Sequence, residues 1–258
     1  MRLWPLTSIV VITYKRLDLL KDTYASTKAV CSYPHLEWIV CDDGSPQSVQ
    51  DAIRAMTFDA YLLSAINEGM GANTNKGILA ANGEFILHLQ DDWHCRGPGD
   101  FIEAGVELMQ EREDVCMVQY WREPCFEFPT EYHITRSGRR ACIYLDYPGM
   151  VDAGKGFHIY SDRPHLKRSA VREAIGLYVE DVRPVLEVEE DYCRRFEQCT
   201  DQRVAIIEGY GSVFVHTGTS QTFNYEQKKA NIREYLRRHP VLRHVWNVYT
   251  FVRYGRRG

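Results

Sequence analysis

The chain has 258 residues, of which 45% are hydrophobic and 26% charged, and a formal net charge of −4. That composition describes an ordinary soluble globular protein long enough to bury a full core, and the sequence shows no internal repeat or low-complexity stretch. No run of about 18 apolar residues occurs, so no helical membrane span is predicted.

The charge is unevenly spread. Residues 228 to 258 hold nine Lys or Arg against one acid, Glu234, so this stretch carries about +8 and the remainder about −12. Tyr235, Trp246, Tyr249, Phe251 and Tyr254 are interleaved with the cations. The pattern predicts a basic amphipathic helical tail over 226–258, suited to an anionic membrane surface or nucleic acid, or else to capping the domain with a solvated basic face. The eight cysteines include no C-x-x-C pair. They read as reduced, mostly buried thiols, and the expected location is cytoplasmic, with peripheral membrane contact through the tail.

In chain order, SIVVIT at 8 to 13 predicts a buried strand and 17 to 30 a helix. LEWIVC at 36 to 41 predicts a second strand, followed by the turn Asp42-Asp43-Gly44-Ser45-Pro46 and a helix over 47 to 56. A strand at 60 to 66 leads through Asn67-Glu68-Gly69-Met70-Gly71 into a helix ending at Ala81. Phe85 to Leu89 form a strand that stops at Gln90-Asp91-Asp92-Trp93. Further on, the sequence predicts a helix at 100 to 112, a strand at 115 to 121 and a hairpin of 126 to 134 with 140 to 145 around Arg136-Ser137-Gly138. A loop marked by Gly149, Gly154 and Gly156 comes next, then helices at 166 to 177 (opened by Pro164) and 186 to 198, and short strands at 203 to 207 and 212 to 216. Strand and helix alternate at short spacing, which makes the expected fold class α/β with a mixed, mainly parallel sheet flanked by helices.

Four early strands each end in a polar cluster, and right-handed crossovers bring the carboxyl ends of parallel strands to one edge. Thr13-Tyr14, Asp42-Asp43, Asn67 to Gly71 and Asp91-Asp92 should therefore face a common crevice. Two adjacent carboxylates resist sharing a site unless a cation joins them, and Mg²⁺ or Mn²⁺ takes such ligands together with phosphate oxygens. The acidic pair thus suggests a metal-diphosphate site. The bland alternative is that these acids cap helices and solvate turns.

With those residues laid out, the chain resembles the glycosyltransferase family 2 enzymes of the GT-A fold, from about residue 7 to 93 and more loosely to about 225. SIVVITYKR is similar to the family's opening strand and nucleotide loop, with Ile12 where Pro is usual and Lys15 where Asn is usual. CDDGS resembles its uracil-reading turn, NEGMGANTNKG its glycine-rich stretch before a helix under the donor, and HLQDDW its DXD position, with Gln90 in place of the first acid.

The resemblance implies a Rossmann-like GT-A catalytic domain over 1–225, divided into a nucleotide-sugar half, 1–121, and an acceptor-side half, 122–225. It also implies an inverting transferase using a nucleoside-diphosphate sugar, UDP-linked or dTDP-linked because Asp43 suits a base imide, with Mn²⁺ or Mg²⁺. Thr13, Tyr14, Arg16, Asp42, Asp43, Asn67, Gly69, Lys76 and Asp91 would meet the donor. Asp92 would hold the metal, with His216 as a further ligand or diphosphate contact. Asp191 would be the general base, with Glu190 as its substitute. HIYSDRPHLKR is similar to the acceptor-side segment, where Arg163 and Lys167 could meet an anionic acceptor and Trp93, Trp121 and Tyr160 could stack on a sugar. The expected acceptor is a saccharide or lipid-linked saccharide, with nucleic acid as an alternative. Two other classes fit less of the sequence: a sugar-phosphate nucleotidyltransferase, which needs a glycine-rich loop that ITYKRLD lacks, and a catalytically silent nucleotide-binding protein, which Gln90 would allow.

Overall fold

The computed structural model describes residues 4–124, 130–145, 159–180, 185–198 and 202–218. Its first strand, β1 (Thr7–Thr13), is buried at every position, as expected of a β-branched run covered on both faces. Helix α1 (Leu17–Val30), β2 (Leu36–Asp42), α2 (Gln47–Arg54), β3 (Ala60–Leu63), α3 (Met70–Ala80) and β4 (Phe85–Gln90) succeed it in strict alternation. Then come β5 (Trp93–Cys95), α4 (Phe101–Glu111), β6 (Val115–Gln119), β7 (Thr130–Ile134) and β8 (Arg140–Tyr144). The described part closes with β9 (His165–Arg168), α5 (Val171–Ile175), α6 (Val185–Glu197), β10 (Arg203–Ile207) and β11 (Phe214–His216).

Among the described residues nine strands form one sheet in the order β3-β2-β1-β4-β9-β6-β10-β8-β7, and β11 pairs with β5 in a separate two-stranded ribbon. β1, β2, β3 and β4 are mutually parallel, and β10 is parallel to β6. β9 runs antiparallel to both β4 and β6, and β8 antiparallel to β10 and β7. One core layer lies between the sheet and α1, α2 and α4, with Leu20, Ile53, Phe101 and Met109 fully buried. The other lies under α3, α5 and α6, with Ile78, Val171, Val188 and Phe196. The described residues up to Thr217 belong to one compact unit.

The helix expected over 166 to 177 is not formed. His165, Leu166 and Lys167 pair with β4 on one side and β6 on the other, filling the gap between two parallel blocks. Pro164 does not start a helix, and its carbonyl accepts from Tyr120 N at 3.1 Å. A four-residue strand whose partners are so distant in sequence has no local signature, whereas Pro before mixed residues imitates a helix start. Helix structure is confined to α5, which Gly176 ends at φ +84°. The predicted strand at 60 to 66 is shorter: β3 ends at Leu63, and Ser64 N makes the last bond to β2, to Asp42 O at 3.0 Å. The Gly149–Gly156 loop and the basic tail over 226–258 lie outside the described residues.

Candidate active site

At the carboxyl edge of the sheet the turn after β1 places Lys15 at φ +60°, with its N–H donating to Ser45 Oγ at 2.8 Å. A left-handed lysine costs about 1 kcal/mol relative to glycine. The turn after β2 is held by its first acid. Asp42 is fully buried and accepts from Ser45 N at 2.8 Å, the Ser45 hydroxyl and Gln50 Nε2 at 2.9 Å. Gly44, at φ +73°, is required here, because a Cβ would stand 2.2 Å from the Ile66 carbonyl carbon. The second acid ties this turn to the next loop: Asp43 accepts from Glu68 N at 2.8 Å and Gly69 N at 3.2 Å. Lys76, on α3, meets the Ser64 hydroxyl and lies 3.6 Å from Glu68. Asn67 is exposed. Beside Gly44 to Gln47 an open cavity of about 620 Å³ is lined also by Lys15, Gln50 and Arg54.

Asp91 and Asp92 come directly after β4 and are almost wholly buried. The Asp91 backbone is fixed from both sides: its N–H donates to Ile12 O at 3.0 Å, and its carbonyl accepts from Thr23 Oγ1 at 2.8 Å. Its carboxylate accepts from Thr13 Oγ1 at 2.7 Å and pairs with Arg16 at 2.5 Å. Burial pushes the Asp91 carboxyl up to about 6, against the pull of Arg16 and of the Thr13 hydroxyl. Asp92 Oδ2 takes Arg16 Nη1 at 2.8 Å and lies 3.2 Å from His216 Nε2. Its other oxygen, Oδ1, is buried without a hydrogen-bond donor. The ribbon brings His216 here, since His216 registers with Trp93, and Thr217 N bonds Asp92 O at 2.8 Å.

Thr13 joins these parts, because its carbonyl accepts from Asp43 N at 3.1 Å while its hydroxyl reaches Asp91. Thr13, Arg16, Asp43, Asp91, Asp92 and His216 therefore form one connected cluster. Tyr14 is half-buried beside it and carries the Lys15 ammonium 4.6 Å from its ring centre. Asp42 and Lys76 are engaged in the turn beneath, and Asn67 makes no contact with the acidic pair.

On α6, Asp191 is held by Arg195 through two contacts of 3.0 Å. Glu190, next to it, is exposed. Glu189 is turned the other way and accepts from Ser161 Oγ at 3.2 Å and Asp162 N at 3.1 Å. Neither Asp191 nor Glu190 touches the Asp91–Asp92 cluster.

Asp162 was not legible in the sequence. His165 pairs with both His88 and Gln119, which puts the residues just before β9 at the same sheet edge as Asp91. Asp162 accepts from Tyr178 Oη at 2.5 Å and Tyr160 Oη at 3.0 Å, and its second oxygen has no donor. Burial and the neighbouring Glu189 raise its carboxyl, and Lys167 opposes the rise. Lys167 is itself buried rather than facing an acceptor or water, because β9 is a central strand. Trp93 and Tyr160 are core residues, 6% and 1% exposed, and offer no sugar platform. Trp121 is half-buried, with the Arg163 guanidinium 4.2 Å from its ring centre.

Among the described residues no three His, Cys, Asp or Glu side chains form a ready-made metal cage. The donor set nevertheless fits a hard divalent cation that takes most of its shell from a ligand: one buried carboxylate oxygen without a donor, and an imidazole beside the same carboxylate.

The profile of the family described as Glycosyl transferase family 2 matches residues 8–168, more than half of the chain. The chain belongs to glycosyl transferase family 2. A curated relative named as the putative teichuronic acid biosynthesis glycosyltransferase TuaG of Bacillus subtilis (strain 168) is 28% identical over 112 residues, covering 42% of this family 2 chain and 43% of TuaG. Among solved structures, S. aureus TarS (residues 1–349) superimposes with a TM-score of 0.57 at 15% identity, covering 82% of this chain and 60% of that one. A mannosyltransferase from Pyrobaculum calidifontis, PcManGT, solved with GDP-Man and Mn²⁺, gives 0.54 at 16% identity over 80% and 59%. TarS with UDP-GlcNAc gives 0.53 at 14% identity over 81% and 57%. The chain thus spans less than two thirds of each of these relatives, and the likeness establishes a GT-A-like α/β fold.

Proposed function

We propose that this family 2 chain is a metal-dependent inverting glycosyltransferase that moves a sugar from a nucleoside-diphosphate sugar, UDP-linked, to an acceptor hydroxyl. The observation that carries the reading is the cluster in which Thr13 links the Asp43 turn to Asp91 and Asp92, leaving Asp92 Oδ1 without a donor. TarS holds UDP-GlcNAc and PcManGT holds GDP-Man with Mn²⁺, which supports the donor class and the cation.

In this reading the nucleobase lies against the cavity beside Gly44 to Gln47, and Asp43, next to Gly44 in the chain, accepts from an imide N–H. Thr13, Tyr14, Gly69 and Asp91 border the ribose and sugar, while Asn67 and Lys76 flank the donor loop. Asp92, with His216, holds Mn²⁺ or Mg²⁺, which when bound neutralises charge growing on the departing diphosphate. Asp191, oriented by Arg195, takes the proton from the acceptor hydroxyl as its oxygen attacks the anomeric carbon and the bond to the diphosphate oxygen breaks. Glu190 is the substitute base. Residues 1–225 form the catalytic domain, and the tail over 226–258 provides membrane contact for a lipid-linked saccharide acceptor.

The test is a mass-spectrometric screen of the purified chain against nucleotide sugars with Mn²⁺, scored by release of the nucleoside diphosphate. Release from a UDP-sugar above GDP and dTDP counterparts is expected. No release from any donor would contradict the proposal.

A further inference from the structure

Arg16 immediately precedes α1 and starts that helix through its carbonyl, which accepts from Leu20 N at 3.0 Å. Its side chain does something the helix does not require. Nη2 lies 2.5 Å from Asp91 Oδ1, Nε 3.2 Å from Asp91 Oδ2 and Nη1 2.8 Å from Asp92 Oδ2. One planar guanidinium thus spans both carboxylates, with three of its nitrogens engaged. The carboxylates are 0% and 4% exposed, but the arginine is 26% exposed and can leave them for the crevice. His216 shares the same Asp92 oxygen.

Two carboxylates and one guanidinium sum to −1, so a dication added at Asp92 would face a guanidinium a few ångströms away. Salt does little to relieve that repulsion, because the separation is well inside the screening length of about 8 Å and the carboxylates are buried. A diphosphate removes this conflict, because it supplies at least two negative charges and receives a guanidinium in fork geometry.

We propose that Arg16 is the resident counter-cation of the Asp91–Asp92 pair, opposes a divalent cation at Asp92 while the crevice lacks donor, and turns to the diphosphate when the donor arrives. The proposal rests on the donor-site reading above. Metal and nucleoside diphosphate then bind with positive coupling, and by linkage each tightens the other by the same factor. Arg16 is a positioning residue for the cation as well as a contact for the donor.

Free Mn²⁺ can be counted by its electron paramagnetic resonance signal during titration of the full chain, with and without UDP. In the unaltered chain, UDP is expected to tighten Mn²⁺ binding at least tenfold. In Arg16→Gln, Mn²⁺ alone is expected to bind at least tenfold tighter than in the unaltered chain, and UDP adds less than threefold. Without metal this variant melts at a lower temperature, since two buried carboxylates lose their counter-cation, and Mn²⁺ raises its melting temperature more than it raises that of the unaltered chain. If Arg16→Gln does not fold, Arg16→Lys decides: an ammonium meets one carboxylate, and Mn²⁺ alone binds at least threefold tighter. Unchanged or weaker Mn²⁺ binding in the folded variant, with UDP and Mn²⁺ still binding the unaltered chain, overturns the role of Arg16 alone. An unaltered chain that binds neither ligand overturns the donor-site reading and this proposal with it.

Discussion

At the carboxyl ends of β1 and β4, Asp91 and Asp92 face an arginine and a histidine that are both partly exposed. Just before β9, Asp162 faces two buried tyrosines, whose rings also lie beside the buried Lys167. Both groups hold charge at one edge of one sheet, yet only the first has partners that solvent reaches. Arg16 and His216 are partly exposed, so in the proposed function a cation and a phosphate replace their contacts. Tyr160, Tyr178 and Lys167 are packed between the sheet and α6, with Tyr178 stacked on Tyr192 at 4.1 Å. Moving them would open the core. In the proposed function, ligand exchange therefore belongs to the first group and fixed architecture to the second.

The largest effect should come from the exchangeable group. Asp92→Asn is expected to reduce nucleoside-diphosphate release at least about 10³-fold. A donor-hydrolysis assay would register this, and release near the unaltered level would remove Asp92 from the site. The fixed group should answer in stability instead. Tyr178→Phe removes one of the two hydroxyls that Asp162 accepts from and is expected to cost about 1–3 kcal/mol in urea unfolding. Adding Asp162→Asn to that variant should recover part of the loss. Equal loss in the single and double variants would show that the hydroxyl and the carboxylate are not coupled.

Asp191→Asn should lower transfer at least about 10²-fold while donor affinity stays within about threefold. An equal fall in donor binding would place Asp191 with the donor rather than the acceptor. Near neutral pH the smallest effect concerns His88, fully buried and stacked on His165 at 5.1 Å. Burial pushes its imidazole from 6.5 down to about 3. Below 6.5 the unfolded chain takes up a proton that folded His88 refuses, so acid favours unfolding, increasingly until pH reaches about 3. Relative to His88→Leu, the unaltered chain should lose about 1.4 kcal/mol for each pH unit below that upper limit. Parallel stability curves for the two proteins would contradict a neutral buried His88.

The β1-to-β4 half was legible because each strand and helix there announces itself within one window: an apolar run, then Gly, Asn or Asp at the turn. Asp43, Asp91 and Asp92 were visible for the same reason, since acids at the end of a buried run stand out. The features that stayed hidden depend on pairings far apart in the chain. β9 exists only because β4 and β6 flank it, and β5, three residues long, depends on its pairing with β11. Arg16 could be named as a donor residue but not as the partner of acids 75 and 76 positions later. Asp162 sits in a segment of mixed polar residues with no apolar run to frame it, so its burial comes from the strand order alone.

If the acidic loops converge on a site where a cation and a nucleoside diphosphate bind together, the two ligands must depend on each other and on Asp92. Calorimetric titration of UDP into the unaltered chain and into Asp92→Asn, each with Mn²⁺ and with a chelator, tests this most directly. The expected result is UDP binding at least tenfold tighter with Mn²⁺ than with the chelator, a gain that disappears in Asp92→Asn. UDP affinity that is the same with and without Mn²⁺, or that keeps its Mn²⁺ dependence in Asp92→Asn, would contradict a shared cation and diphosphate site.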